Sequence, residues 1–162
     1  MTTFSTALRE LARQADVLEV GWRLQIIQLH EIHLWAQRWM NRDELDSETL
    51  VTLCALTQPY CSETSQFLCD LMITPRQANW LQALGLLSTL YLNHVFSERS
   101  FAQALYRLGC KDEEAYDHDP RLISYDDDLT MSGEPEQVSE QLLILAQTYA
   151  PYVDWFEPSS NS

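Results

Sequence analysis

The sequence predicts an all-α fold, a single-domain bundle of six or seven helices with a long acidic loop before the last helix. Apolar residues recur three and four positions apart along most of the chain, as on one face of an α-helix. The four glycines and six prolines are too few for the closely spaced turns of a β-sandwich or barrel. A length of 162 residues suits one domain, which we place at residues 1–157, followed by a disordered tail at 158–162.

The N-terminal third of the chain is predicted to form two helices. Apolar residues at helical spacing predict the first over Thr3–Ala15 and the second over Asp16–Asn41. The second helix carries apolar residues on two adjacent faces, so we expect it to lie centrally and to pack on more than one side.

Capping residues and prolines set the next boundaries. Asp46 or Ser47 is expected to cap a third helix that Pro59 stops. A fourth helix is expected to begin at Ser62 and to end before Pro75. Thr74-Pro75-Arg76-Gln77 has the pattern of an N-cap and a capping box, and it predicts the start of a fifth, doubly buried helix.

The last predicted helices flank an acidic segment. Ser97 is expected to cap a sixth helix, and Gly109 is expected to close it in the C′ position. The final helix is expected to open at Pro135 and to end before Pro151.

Residues 110–137, here called the acidic segment, contain ten carboxylates against Lys111 and Arg121, a net charge of −8. Two prolines and a glycine interrupt this segment, which predicts a long loop. Aromatic and aliphatic residues are interleaved with the carboxylates, as expected of a recognition surface. The residues predicted to bind a partner are Asp112, Glu113, Glu114, Tyr116, Asp117, Asp119, Tyr125, Asp126, Asp127 and Asp128.

Charge and hydropathy restrict the classes of partner. The net charge of −14 opposes direct binding to nucleic acid or to an anionic membrane, because both require a cationic surface. The sequence has no run of about 18 apolar residues, and its amphipathic N-terminus does not have the pattern of a signal peptide. We therefore expect a cytoplasmic protein, monomeric or homodimeric. Its four cysteines form no CxxC pair and are expected to be reduced thiols.

Motifs for catalysis and metal binding are weak, so we expect no enzymatic activity, no cofactor and no metal. His30-Glu31-Ile32-His33 is one residue short of the H-E-x-x-H spacing of a zinc protease. Arg23 and His30, separated by six residues, resemble the R-x(4–6)-H motif of helical RNA-cleaving domains of the HEPN type. That resemblance implies two side chains on one helix face, but the negative charge of the chain repels RNA.

The surplus of negative charge favours a basic protein as the partner. The preferred hypothesis is an acidic inhibitor, such as an immunity protein or antitoxin that blocks a nuclease-like toxin with a cationic cleft. The alternative is an adaptor or secretion-type chaperone that binds an apolar client segment through aromatic helix faces, including Trp35, Trp39 and Trp80.

Overall fold

The computed structural model describes residues 2–73 and 76–159, and all regular secondary structure within these residues is helical. The predicted all-α class is therefore confirmed. These residues fall into two compact units, unit 1 ending at Asn79 and unit 2 beginning at Trp80. The assignment of residues 1–157 to one domain stays a prediction, and residues 160–162 of the expected disordered tail lie outside the described residues. Among the described helices, none is both long and apolar enough to cross a membrane.

Unit 1 contains four helices. They are α1 (Thr2–Arg23), α2 (Leu29–Met40), α3 (Ser47–Leu56) and α4 (Thr64–Asp70). α1 packs on α4, and α2 packs on α3. The fully buried apolar side chains of this unit include Leu11, Leu18, Ile32, Leu53, Leu56 and Leu68.

The predicted boundary between the first two helices was wrong. α1 continues through Asp16 to Arg23, and the chain breaks at residues 24–28 instead. Asp16 lies inside α1, and its Oδ2 accepts hydrogen bonds from the backbone N–H groups of Gln77 and Ala78 at 2.7 and 2.9 Å. The span 16–41, predicted to be one central helix, therefore contains the end of α1, the break at residues 24–28 and α2.

Gln14 joins α1 to α2 through a buried hydrogen-bonded bridge. Its Oε1 accepts from the indole N–H groups of Trp35 at 2.8 Å and Trp39 at 2.9 Å. Both indoles are only 2 % exposed, so neither N–H has access to water. One amide oxygen thus satisfies two donors whose burial would otherwise be costly.

The other predicted boundaries in unit 1 have mixed outcomes. Asp46 caps α3 as predicted, accepting from the Thr49 N–H at 2.7 Å, and this hydrogen bond lowers the pKa of its carboxyl. α4 begins at Thr64, two residues later than expected. The capping box was wrong at Gln77, which precedes the next helix and bonds to Asp16 instead. Thr74 and Pro75 lie outside the described residues.

Unit 2 contains the remaining helices of the described chain. They are α5 (Trp80–Leu92), α6 (Glu98–Lys111), α7 (Glu113–His118), a first 3-10 helix (Pro120–Ile123), α8 (Tyr125–Met131), α9 (Pro135–Tyr149) and a second 3-10 helix (Ala150–Val153). α5 packs against α6, α9 and the second 3-10 helix. Its residues 83–90 are all buried, which confirms the predicted doubly buried helix.

The start of α6 was predicted correctly and its end was not. The Ser97 hydroxyl accepts from the Ser100 N–H at 3.1 Å, as expected of an N-cap. Gly109 is not a C-cap, because the helix continues to Lys111 and Gly109 has no positive φ. A Cβ on Gly109 would lie 2.8 Å from the Ile123 Cγ2 and 3.3 Å from the Leu122 Cβ. This glycine therefore permits the first 3-10 helix to approach the α6 backbone closely.

The predicted long loop was wrong, since most of the acidic segment is helical. It contains α7, the first 3-10 helix and α8, and α9 opens at Pro135 as predicted. Ala115, Leu122 and Tyr125 are buried and fasten these short helices to the rest of unit 2. The nine α-helices and two 3-10 helices of the described residues exceed the six or seven helices expected.

Candidate protein-binding surface

Three of the ten predicted partner-binding residues serve the fold. Asp112 follows α6 and caps α7, its Oδ1 accepting from the Ala115 N–H at 3.0 Å. Asp119 caps the first 3-10 helix and forms an ion pair with the Arg121 Nε at 3.2 Å. Tyr125 is 2 % exposed and belongs to the core. These three side chains hold the acidic segment in place, and six of the remaining seven candidates are exposed.

Six of the predicted residues on α7 and α8 are exposed, and we refer to them together as the acidic face: Glu113, Glu114, Tyr116, Asp117, Asp127 and Asp128. Asp126 lies between them at intermediate exposure. None of the five carboxylates of the acidic face forms an ion pair with another described residue. Asp119, in contrast, forms an ion pair with Arg121. The negative charge of the five carboxylates is therefore presented to solvent without neutralisation by the described chain.

Helix dipoles stabilise four of these five carboxylates, and Asp117, in the last turn of α7, is the exception. Glu113 and Glu114 lie in the first turn of α7, and Asp126, Asp127 and Asp128 lie in the first turn of α8. The positive end of a helix dipole attracts carboxylates at such positions. Glu113 and Asp117 are four residues apart on one helix, so they repel each other in the free protein.

A cluster of aromatic rings lies beside the acidic segment, and sequence reasoning did not find it. The His118 ring lies 4.7 Å from the Trp80 ring, and its Nε2 lies 3.0 Å from the Tyr149 hydroxyl. Tyr152 stacks on Tyr149 with 6.0 Å between ring centroids. Partial burial, and then the charge of Asp119, raises the pKa of Tyr149. The cluster gives the C-terminal end of α7 a fixed support.

A further exposed aromatic residue, Tyr106 on α6, was also missed. Tyr106 is 48 % exposed, and its pKa is raised first by a hydrogen bond and electrostatic interaction with Cys110, then by partial burial, and least by the charge of Asp127. α6 packs on α8, which carries Asp127. The i, i+4 spacing of Tyr106 and Cys110 gives no hint of an acidic neighbour, since that neighbour comes from another helix.

The other candidate sites of the sequence do not assemble in the structure. His30 is exposed on α2, and no group of three metal-ligating side chains forms among the described residues. Arg23 ends α1 whereas His30 lies on α2, so the two do not share a helix face. Trp35 and Trp39 are 2 % exposed and Trp80 is 9 % exposed. The indoles invoked for binding an apolar client therefore belong to the core.

Comparison with protein-family models, with curated proteins and with solved structures found no significant match to this chain.

Proposed function

We propose that the acidic face binds a basic protein and that the chain acts as an inhibitor of that protein, in the manner of an immunity protein or antitoxin. The observation that carries the proposal is the set of five exposed carboxylates without an ion pair among the described residues. A partner that acts on nucleic acid has a cationic cleft, because it must neutralise phosphates. An ordered surface of carboxylates is complementary to such a cleft.

Order in the acidic segment strengthens the argument. Immobilising a flexible loop on binding costs conformational entropy, which an already helical surface largely avoids. In the free protein this entropy is already lost on folding. Burial of Leu122 and Tyr125 and helix capping by Asp112 and Asp119 offset it. Repulsion between Glu113 and Asp117 is relieved when a cation approaches them, so binding regains some of that energy.

The test is capture of the partner from cells that produce the protein, followed by kinetics with the purified pair. We expect the captured protein to be basic, to cleave nucleic acid, and to lose that activity on addition of one equivalent of this chain. The test variant carries Glu113→Gln, Glu114→Gln, Asp117→Asn, Asp127→Asn and Asp128→Asn. Its association rate should fall about tenfold or more in dilute salt, because steering by opposite charges raises association rates by 10 to 1000-fold.

A second variant separates local from overall charge. It neutralises the same number of exposed carboxylates in unit 1, namely Asp43, Glu44, Glu48, Glu63 and Asp70. Both variants thus have the same net charge, and only the first should lose rapid, salt-sensitive association. Equal association rates for the two variants, or capture of an acidic partner, would contradict the proposal.

A further inference from the structure

Unit 1 contains a cavity of about 650 Å³ that has no role in the proposed inhibition. It lies where the end of α1 meets the turn at residues 24–28, the start of α2 and α4. Trp22, Ile27 and Leu29 supply apolar wall, and Arg23 and Gln28 supply polar groups. The volume falls in the range of roughly 300–1,000 Å³ that is usual for small-molecule sites.

Arg23 is the charged group of this cavity, and it is only partly engaged. Its side chain is 50 % exposed, and its Nε lies 3.5 Å from the Glu19 Oε1. It forms no hydrogen bond with another described residue, so the terminal nitrogens of the guanidinium are free to donate. A guanidinium presents a planar pair of donors that matches a carboxylate.

Glu19 fixes the position of Arg23 without neutralising it fully. The Glu19 side chain is completely buried, and the same Oε1 also receives Arg76 at 3.2 Å and the Ser65 hydroxyl at 3.1 Å. One carboxylate oxygen of Glu19 therefore contacts two arginines, and the charge of Asp16 also acts on Arg76. Ser65 and Arg23 both line the cavity, so Glu19 lies directly behind its polar wall.

The start of α2 adds a second attraction for an anion. Gln28 occupies the N-cap of this twelve-residue helix and provides no side-chain cap. The Glu31 N–H donates to the Gln28 carbonyl at 3.0 Å, and the N–H groups of Leu29 and His30 at the start of the turn attract negative charge. Glu31, the acidic residue of that turn, is 4 % exposed, so its carboxylate is not presented to solvent at the start of the helix.

We propose that this cavity binds a small carboxylate with a flat apolar body. The carboxylate accepts from the terminal nitrogens of Arg23 and from the first turn of α2, and the apolar body lies against Trp22, Ile27 and Leu29. All the residues that line the site belong to unit 1.

The test titrates the full-length protein with benzoate and follows the indole resonance of Trp22 by two-dimensional NMR. We expect saturable shifts at Trp22 and at the amides of residues 23–29. Benzyl alcohol has the same ring without the charge, and inorganic phosphate has charge without the ring. Each should bind at least tenfold more weakly than benzoate.

Two arginine variants locate the effect. Arg23→Gln should weaken benzoate binding at least tenfold, whereas Arg9→Gln, an exposed arginine on the same helix, should leave it unchanged. Unsaturable shifts, equal affinity for benzoate and benzyl alcohol, or unchanged affinity in Arg23→Gln would overturn the proposal. The comparison of benzoate with benzyl alcohol decides the matter even where Arg23→Gln does not fold.

Discussion

Replacement of Gly109 by alanine tests whether the acidic segment is packed on unit 2. Gly109 lies inside α6, where alanine is favoured over glycine by about 1 kcal/mol of helix propensity. If residues 110–137 were a loose loop, this gain would stand alone and the variant would be more stable than the wild type.

The packing of the first 3-10 helix reverses that expectation. The new methyl group would lie 2.8 Å from the Ile123 Cγ2, and ordinary contact begins near 3.4 Å. Ile123 is branched at Cβ, so its methyl group has few alternative positions. The Leu122 Cβ at 3.3 Å moves only with the backbone. Overpacking of this kind costs about 1–3 kcal/mol, so we expect a net loss of about 1 kcal/mol in the free energy of unfolding.

Urea unfolding at constant pH measures the change, with Gly133→Ala as the control. No atom lies within 4 Å of a Cβ placed on Gly133, so that variant should differ from the wild type by less than about 0.5 kcal/mol. Hydrogen exchange should show faster exchange in α7 and α8 of Gly109→Ala than in the wild type. A Gly109→Ala protein more stable than the wild type would refute the close approach of the 3-10 helix.

Two further predictions concern the core. Gln14→Leu keeps the packing volume but removes the acceptor of two buried indole N–H groups, so the free energy of unfolding should fall by about 2–5 kcal/mol. Urea titrations monitored by Trp fluorescence measure the change. A fall below about 1 kcal/mol would show that the hydrogen-bonded bridge contributes little. Burial, and then the charge of Asp119, raises the pKa of Tyr125, so the folded protein holds this phenol proton more tightly than the unfolded chain. Its contribution to stability is complete below the unfolded pKa of about 10 and is lost as the pH rises through the folded value. Tyr125→Phe should therefore flatten the decline of unfolding free energy above pH 10, while Tyr60→Phe, at a 95 % exposed position, should leave that decline unchanged.

A helix C-cap without glycine explains why the end of α1 was misplaced in the sequence-based prediction. After α1 the Ile26 N–H donates to the Gly21 carbonyl and the Gln25 N–H to the Trp22 carbonyl, with Gln25 at a φ of 60°. This is the pattern of a Schellman C-cap, in which glycine is the usual left-handed residue. α5 ends in the same way at His94, which has a φ of 61°. Neither glutamine nor histidine signals a helix end in a sequence, because both favour right-handed backbone.

The sequence by itself determined the helical class, the caps at Asp46 and Ser97, and the start of α9 at Pro135. Each depends on neighbours within one turn, whose side chains reach the backbone wherever the rest of the chain lies. The accumulation of charge in residues 110–137 is likewise a property of the sequence alone.

Only the tertiary structure decided which acidic residues support the fold and which face outward. Leu122 and Tyr125 are buried in elements that pack on α6 and, for α8, also on α9, and a pattern of prolines and carboxylates does not encode those contacts. Asp16 binds the backbone of Gln77 across 61 positions, so its role was invisible to local reasoning. Burial of a few apolar side chains from a charged segment outweighs its local preference for a loop, because each buried side chain contributes about 1.5–3 kcal/mol.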